Sequence, residues 1–131
     1  MPEQPSAALI RRLFQAFAER DFATTQSIIA EDAVWYFPGT RGALAGGHRG
    51  REATFRFLAS VMTLRGGTFH LDIEDITASE NNVVVLFTGH GQRDGKTLDN
   101  PTALRVRIRD GQAVEFREFV WDLAHVEDFR A

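Results

Sequence analysis

Cysteine is absent from this chain, which excludes disulfides, thiolate metal ligands and cysteine nucleophiles at once, and says little about compartment. Basic blocks are missing too. Fifteen Lys and Arg stand against eighteen Asp and Glu, a net charge of −3, so little is available to neutralise a phosphate backbone and no nucleic-acid partner is expected. No apolar run reaches the ~18 residues of a membrane span. The opening MPEQPSAA lacks the basic flank and apolar stretch of a signal peptide. A cytoplasmic protein with no membrane partner is the expectation. Tyrosine occurs once, whereas Phe occurs eleven times and Trp twice. A chain of 131 residues is long enough to bury its own core, and one domain over 1–131 with an aromatic-lined interior is expected.

The most regular pattern lies late in the chain. Thr102 to Arg109 alternates strictly, Asp110-Gly111 offers a hairpin turn, and Gln112 to Trp121 alternates again. In the second run Glu118 falls in phase with Val114, Phe116 and Val120, so its carboxylate faces either a wet surface or an interior. Upstream, Ser6 is a plausible N-cap for a helix carrying Leu9, Ile10, Leu13, Phe14 and Phe17 at helical spacing. A short helix follows over Phe22 to Ala30, with Phe22, Ile28 and Ile29 turned inward, then a strand over Ala33 to Phe37 stopped by Pro38-Gly39. Thr40 to Gly50, with four glycines and no periodicity, reads as a loop. Arg51 to Leu64 is a helix with Phe55, Leu58, Val61 and Met62 as its stripe, ended by Arg65-Gly66-Gly67. Strands over 68–78, 83–93 and 96–109 are joined by turns at Asn81-Asn82 and Asp94-Gly95, and the tail supplies a final helical turn or two. The order α-α-β-α-β-β-β-β predicts an α+β fold, a curved antiparallel sheet with helices on one face.

These pieces resemble a known family. The helix LIRRLFQAFAERD, the strand region EDAVWYFPG, the segment GALAGGHRGREATFRFL and the closing RDGQAVEFREFVWD are similar to the NTF2-like superfamily, in its SnoaL-like and ketosteroid-isomerase-like branch. The resemblance covers nearly the whole chain and implies a cone-shaped sheet with a deep apolar pocket. It specifies a fold far better than a reaction. The isomerase carries a Tyr, a general-base Asp and a second Asp at positions that match Phe14, Phe37 and Leu104 here, so its protonated-acid and Tyr oxyanion hole cannot be assembled. The epoxide-hydrolase branch needs an Asp-Arg-Asp set, of which only Glu118 and Asp122 offer an acid near the pocket wall. The polyketide-cyclase branch needs an acid–base residue near the pocket floor, where Glu118, Asp122 or a His could serve.

Phase then supplies the candidate site. With Trp35 and Phe37 facing the pocket, Asn100, Thr102, Leu104 and Val106 share one wall, and Phe116, Glu118, Val120 and Asp122 the next. Phe55, Leu58, Phe87 and His48 complete the expected lining. Glu118 and Asp122 are the catalytic candidates, because desolvation raises a carboxylate pKa toward the range of a general base. Against this stands a surface pairing of Glu118 with Arg105 or Arg117. Strand phase puts His90 on the opposite face, and His70 and His125 have no partner at useful spacing. Without an HxH, HExxH or HxxE pattern, neither a metal nor another cofactor is expected. Three readings follow: an acid–base enzyme of isomerase, cyclase or hydratase type on a small apolar or polycyclic molecule, a non-catalytic binding module for a lipophilic ligand, and a dimerisation scaffold. The outer strand face, with Phe119 and Trp121, implies a homodimer.

Overall fold

The computed structural model describes residues 3–40, 45–64 (side chains to residue 60) and 68–130. In chain order the elements are α1 (Pro5–Ala18), α2 (Phe22–Ile28), β1 (Ile29–Phe37), β2 (Gly46–Arg49), α3 (Arg51–Leu64), β3 (His70–Ala78), β4 (Asn82–Arg93), β5 (Lys96–Arg109), β6 (Gln112–Val120) and α4 (Leu123–Arg130). The expected α+β layout is present. The strands form a single six-stranded sheet in the order β2-β1-β6-β5-β4-β3.

Local chemistry explains most boundaries. Asp94-Gly95 and Asp110-Gly111 both take positive φ at their two central residues, the turn that matches the twist of the β4–β5 and β5–β6 hairpins. The end of α1 is a Schellman motif on a non-glycine residue. Arg20, at φ 59, donates its N–H to the Phe17 carbonyl while the Asp21 N–H reaches the Ala16 carbonyl. Asp21 then caps α2, accepting from the Thr24 backbone N–H at 3.1 Å.

Several expectations are corrected. Ser6 is no cap: α1 starts at Pro5, whose missing N–H is tolerated at the first helical position, and the buried Ser6 hydroxyl donates to the Ser79 carbonyl at 2.6 Å. Phe22 is 58% exposed rather than inward. Ile29 and Ala30 belong to β1 instead of α2. The stretch read as a loop over Thr40 to Gly50 holds β2, which pairs antiparallel with the end of β1. The sheet is not antiparallel throughout either, since β1 runs parallel to β6. The α3 residues Val61 and Met62 and the Arg65-Gly66-Gly67 terminus lie outside the described side chains and residues.

Three register shifts bend the sheet, between Ile29 and Val34, Ile73 and Asp75, and Arg107 and Ile108. The third places an extra residue, Val114, in β6, so Ala113 rather than Val114 is fully buried and in line with Phe116. Beyond the bulge the expected phase of Phe116 and Glu118 holds. Ile10, Val83, Val85, Leu104, Val106 and Phe116, each at most 1% exposed, form the centre of the core.

Candidate functional site

Parallel pairing of β1 with β6 sets Trp35 opposite Phe116. Their rings stack at 4.5 Å between centroids with an 11° interplanar angle, and Phe57 of α3 closes on the indole from 5.3 Å. Clamped between two aromatic rings, the indole N–H has a fixed direction. It donates to Glu118 Oε2 at 2.7 Å, from a residue 83 positions earlier in the chain. Glu118 sits one alternation beyond Phe116 and is itself half-buried.

Glu118 thus lines an inner chamber of about 70 Å³. Its walls are almost wholly apolar, and of the candidate residues Trp35, Phe37, Leu58, Phe87, Leu104 and Phe116 border it. Asn100 and Thr25 are the other polar residues there, and the Thr25 hydroxyl donates to the Asp21 carbonyl at 2.9 Å. Asn100 is the one with an unmet group. It is 2% exposed, and its amide oxygen has no hydrogen-bond partner among the described residues. A buried amide oxygen left so costs about 1–3 kcal/mol, a penalty that a bound donor would relieve. The chamber adjoins a wider one of about 650 Å³ that shares Phe14, Phe17, Leu58, Phe69 and Leu71 with it.

Both arginines considered as surface partners of Glu118 are engaged on the other face. Arg105 pairs with Glu115, and Arg117 lies over the Tyr36 ring with its Nε 3.9 Å from the same Glu115. A third arginine packs against one of the lining residues. Arg130 of α4 sits 4.1 Å above the Phe37 ring. Burial holds its pKa below the ordinary arginine value, against the attraction of the Glu118 and Glu127 charges.

Other expected site residues lie elsewhere. Asp122 is exposed and caps α4, accepting from the His125 N–H at 3.1 Å, because the β6 alternation ends at Val120. Thr102 is buried, but its short side chain turns back to donate to the Asn100 carbonyl at 3.3 Å. Val106 is in the packed core beyond the chamber. Val120 borders a shallow cleft of about 390 Å³ shared with Phe119 and Trp121. Phe55 lines only the outer chamber. His48, on β2, places its ring 4.7 Å from Phe57 but does not border the chamber. The two histidines read as lacking partners both have one: His70 stacks on His90 at 4.9 Å, and His125 accepts from the Asp99 backbone N–H at 3.1 Å.

Sequence reasoning missed Leu13, Phe17, Thr25, Ile29, Phe57, Phe69 and Leu71 in the lining. Phe57 was legible only if Thr54, fully buried three residues earlier, was taken as part of the inward stripe. Just before and at the start of α3, Gly50 and Arg51 serve structure. Gly50 donates to the Ala33 carbonyl at 2.6 Å, and Arg51 Nε donates to the Ile29 carbonyl at 2.9 Å.

Comparisons with known proteins agree with this fold. Residues 10–116 match the family described as SnoaL-like domain. An uncharacterised protein of Mycobacterium tuberculosis, Rv0034, is 31% identical over 132 positions that span both chains in full. Bal32a, from a soil-derived mobile gene cassette, superposes with a TM-score of 0.91 at 30% identity over 97% of each chain. TerC, co-crystallised with polyporic acid, gives a TM-score of 0.84 at 25% identity over 97% of this chain and 98% of its own.

Proposed function

The chain belongs to the SnoaL-like domain family and has its NTF2-like fold, and we propose that it is an acid–base enzyme acting on a small, largely apolar organic molecule, with Glu118 as the base. The observation that carries this reading is the 2.7 Å bond from the Trp35 indole to Glu118 Oε2 within an otherwise apolar chamber. The indole fixes the direction of one carboxylate oxygen toward the chamber, and an oriented carboxylate suits proton transfer. Asn100, whose amide carries both an acceptor and donors, is in position to hold a substrate carbonyl or hydroxyl. Glu118 would remove a proton from carbon next to that carbonyl. The resulting enolate oxygen would take a hydrogen bond from Asn100, and the proton on Glu118 would return to the product, in an isomerisation or an aldol-type ring closure.

The substrate class is supported by the aromatic walls and by TerC, the relative crystallised with polyporic acid. A cofactor has no part in this reading. The alternative, a binding module, uses the same chamber and moves no proton.

Proton exchange separates the two. A panel of aromatic ketones and polyporic acid is first ranked by thermal shift. The carbonyl compounds that bind are then held in D₂O, and exchange at the carbon beside the carbonyl is followed by NMR. Wild type should accelerate exchange and Glu118→Gln should bind equally well yet lose the acceleration, by roughly 10²–10⁴-fold. Equal exchange in both proteins would leave the binding module as the correct reading.

A further inference from the structure

Away from the inner chamber, at the rim of the outer one that His70 borders, three side chains from two strands converge. His70 on β3 is the register partner of His90 on β4, and His90 is the register partner of Asp99 on β5. Asp72 follows His70 by two residues and so shares its face. Asp72 Oδ2 lies 2.9 Å from His90 Nε2, and one ligand atom from each of His70, Asp72 and His90 falls within 4.8 Å of the others.

We propose that His70, His90 and Asp72 form a site for a divalent transition metal. Two imidazoles and one carboxylate suit Zn²⁺, Co²⁺ or Ni²⁺, whereas Mg²⁺ and Ca²⁺ favour all-oxygen sets. The second shell is already built. Asp99 Oδ1 lies 2.9 Å from His90 Nδ1, an acceptor for the proton on that nitrogen once Nε2, which faces Asp72, becomes the ligand atom. Where His90 carries a second proton on Nε2, the ion displaces it to solvent. Ligands at about 2.0–2.2 Å from one ion lie roughly 3–3.5 Å from each other. The longest separation must therefore close by a little over an ångström, which rotation of the exposed His70 and Asp72 side chains supplies.

Position gives the ion a consequence. β3 is the edge strand of the sheet, and the residues flanking His70, Phe69 and Leu71, line both chambers. A metal joining His70, itself at the border of the outer chamber, to His90 would brace that wall. The remaining coordination positions face a cleft of about 320 Å³ bordered by Thr68, His70, His90 and Gln92, open to water or a small anion.

The test uses the full, tag-free chain, stripped with a chelator and titrated with ZnCl₂, with CoCl₂ as a spectroscopic probe. We expect one equivalent per chain, a rise in Tm that saturates with zinc, and visible cobalt bands of His and carboxylate ligation. His90→Ala should abolish binding. His70→Asn and Asp72→Asn should each weaken it at least about tenfold, and Asp99→Asn roughly tenfold through the second shell. His48→Asn should bind as wild type. Circular dichroism checks that the variants fold, and His70→Asn, at an exposed position, keeps the test open if His90→Ala does not. Absence of any zinc, cobalt or nickel binding at millimolar metal would overturn the proposal. So would binding that is unchanged in folded His70→Asn and His90→Ala.

Discussion

The indole N–H of Trp35 on β1 meets the carboxylate of Glu118 on β6 at 2.7 Å, one alternation beyond the residue that Trp35 stacks upon. The stack and the hydrogen bond make one device: Phe116 and Phe57 hold the ring, and the ring holds the carboxylate. Trp35→Phe separates the two parts. The aromatic clamp survives while Glu118 loses this donor, so stability should fall by only about 1 kcal/mol. Ketone-bound exchange should slow by roughly 10–100-fold through misplacement of the base, with ligand affinity nearly unchanged. Exchange at the wild-type rate would show that the indole does not position Glu118.

Asn100→Leu should make the protein more stable and a poorer binder. It removes a buried amide whose oxygen lacks a partner and replaces it at similar volume, for a gain of about 1 kcal/mol or roughly 3–6 °C in Tm. Ligands from the thermal-shift panel that hydrogen-bond through a hydroxyl or carbonyl should lose affinity. Stability exchanged for function in this way is common at binding sites. A lower Tm would mean that Asn100 is a structural group.

Ketosteroid isomerase activity should be absent. Phe14, Phe37 and Leu104, at the positions matched to that enzyme's polar groups, all line the inner chamber, so phenyl and isobutyl groups face the substrate there. Loss of a single oxyanion donor costs about 10²–10³ in rate. Turnover of a Δ5-3-ketosteroid well above the buffer rate would contradict the assignment of Glu118 and Asn100 as the working polar groups.

The outer face should join two copies. Phe119 is 54% and Trp121 85% exposed, with Leu86 at 38% nearby on the sheet, and such a patch favours association. Light scattering at micromolar concentration should give twice 14.7 kDa, and Phe119→Lys with Trp121→Lys should give the single mass. A wild-type monomer would refute this.

Acid should weaken the surface network in a defined window. Hydrogen bonds from Thr24 hold Asp21 below the ordinary carboxylate pKa, and the Arg109 guanidinium does the same for Asp32. Each depressed pKa contributes stability that is complete above the unfolded value of about 3.9 and is lost as pH falls through the folded value. The stability difference between wild type and Asp21→Asn, Asp32→Asn should therefore shrink below about pH 4. Denaturant titrations from pH 7 downward measure it, and a gap that widens on acidification would reverse the sign.

Short-range chemistry was legible before any coordinates. The two Asp-Gly turns, the alternation of β5 and the apolar row containing Phe116 and Glu118 depend on φ preferences and a period of two, which act within a few residues. They sufficed for the fold class, while the resemblance of longer segments to a known family supplied the family and the phase that set Glu118 with Asn100 on the pocket walls. What the tertiary structure alone decided involves segments far apart in the chain. The parallel seam between β1 and β6 brings Trp35 to Glu118, and no local pattern states which strand β1 will join. The bulge at Val114 exchanges it for Ala113 in the core, because strand twist there is set by the partner β5. Asp122 became a helix cap since the strand stopped two residues before it. His70 and His90, twenty residues apart, meet because β3 and β4 pair in one register out of many. Register is chosen by the burial of whole strand faces, a sum over the sheet that no single stretch of sequence contains.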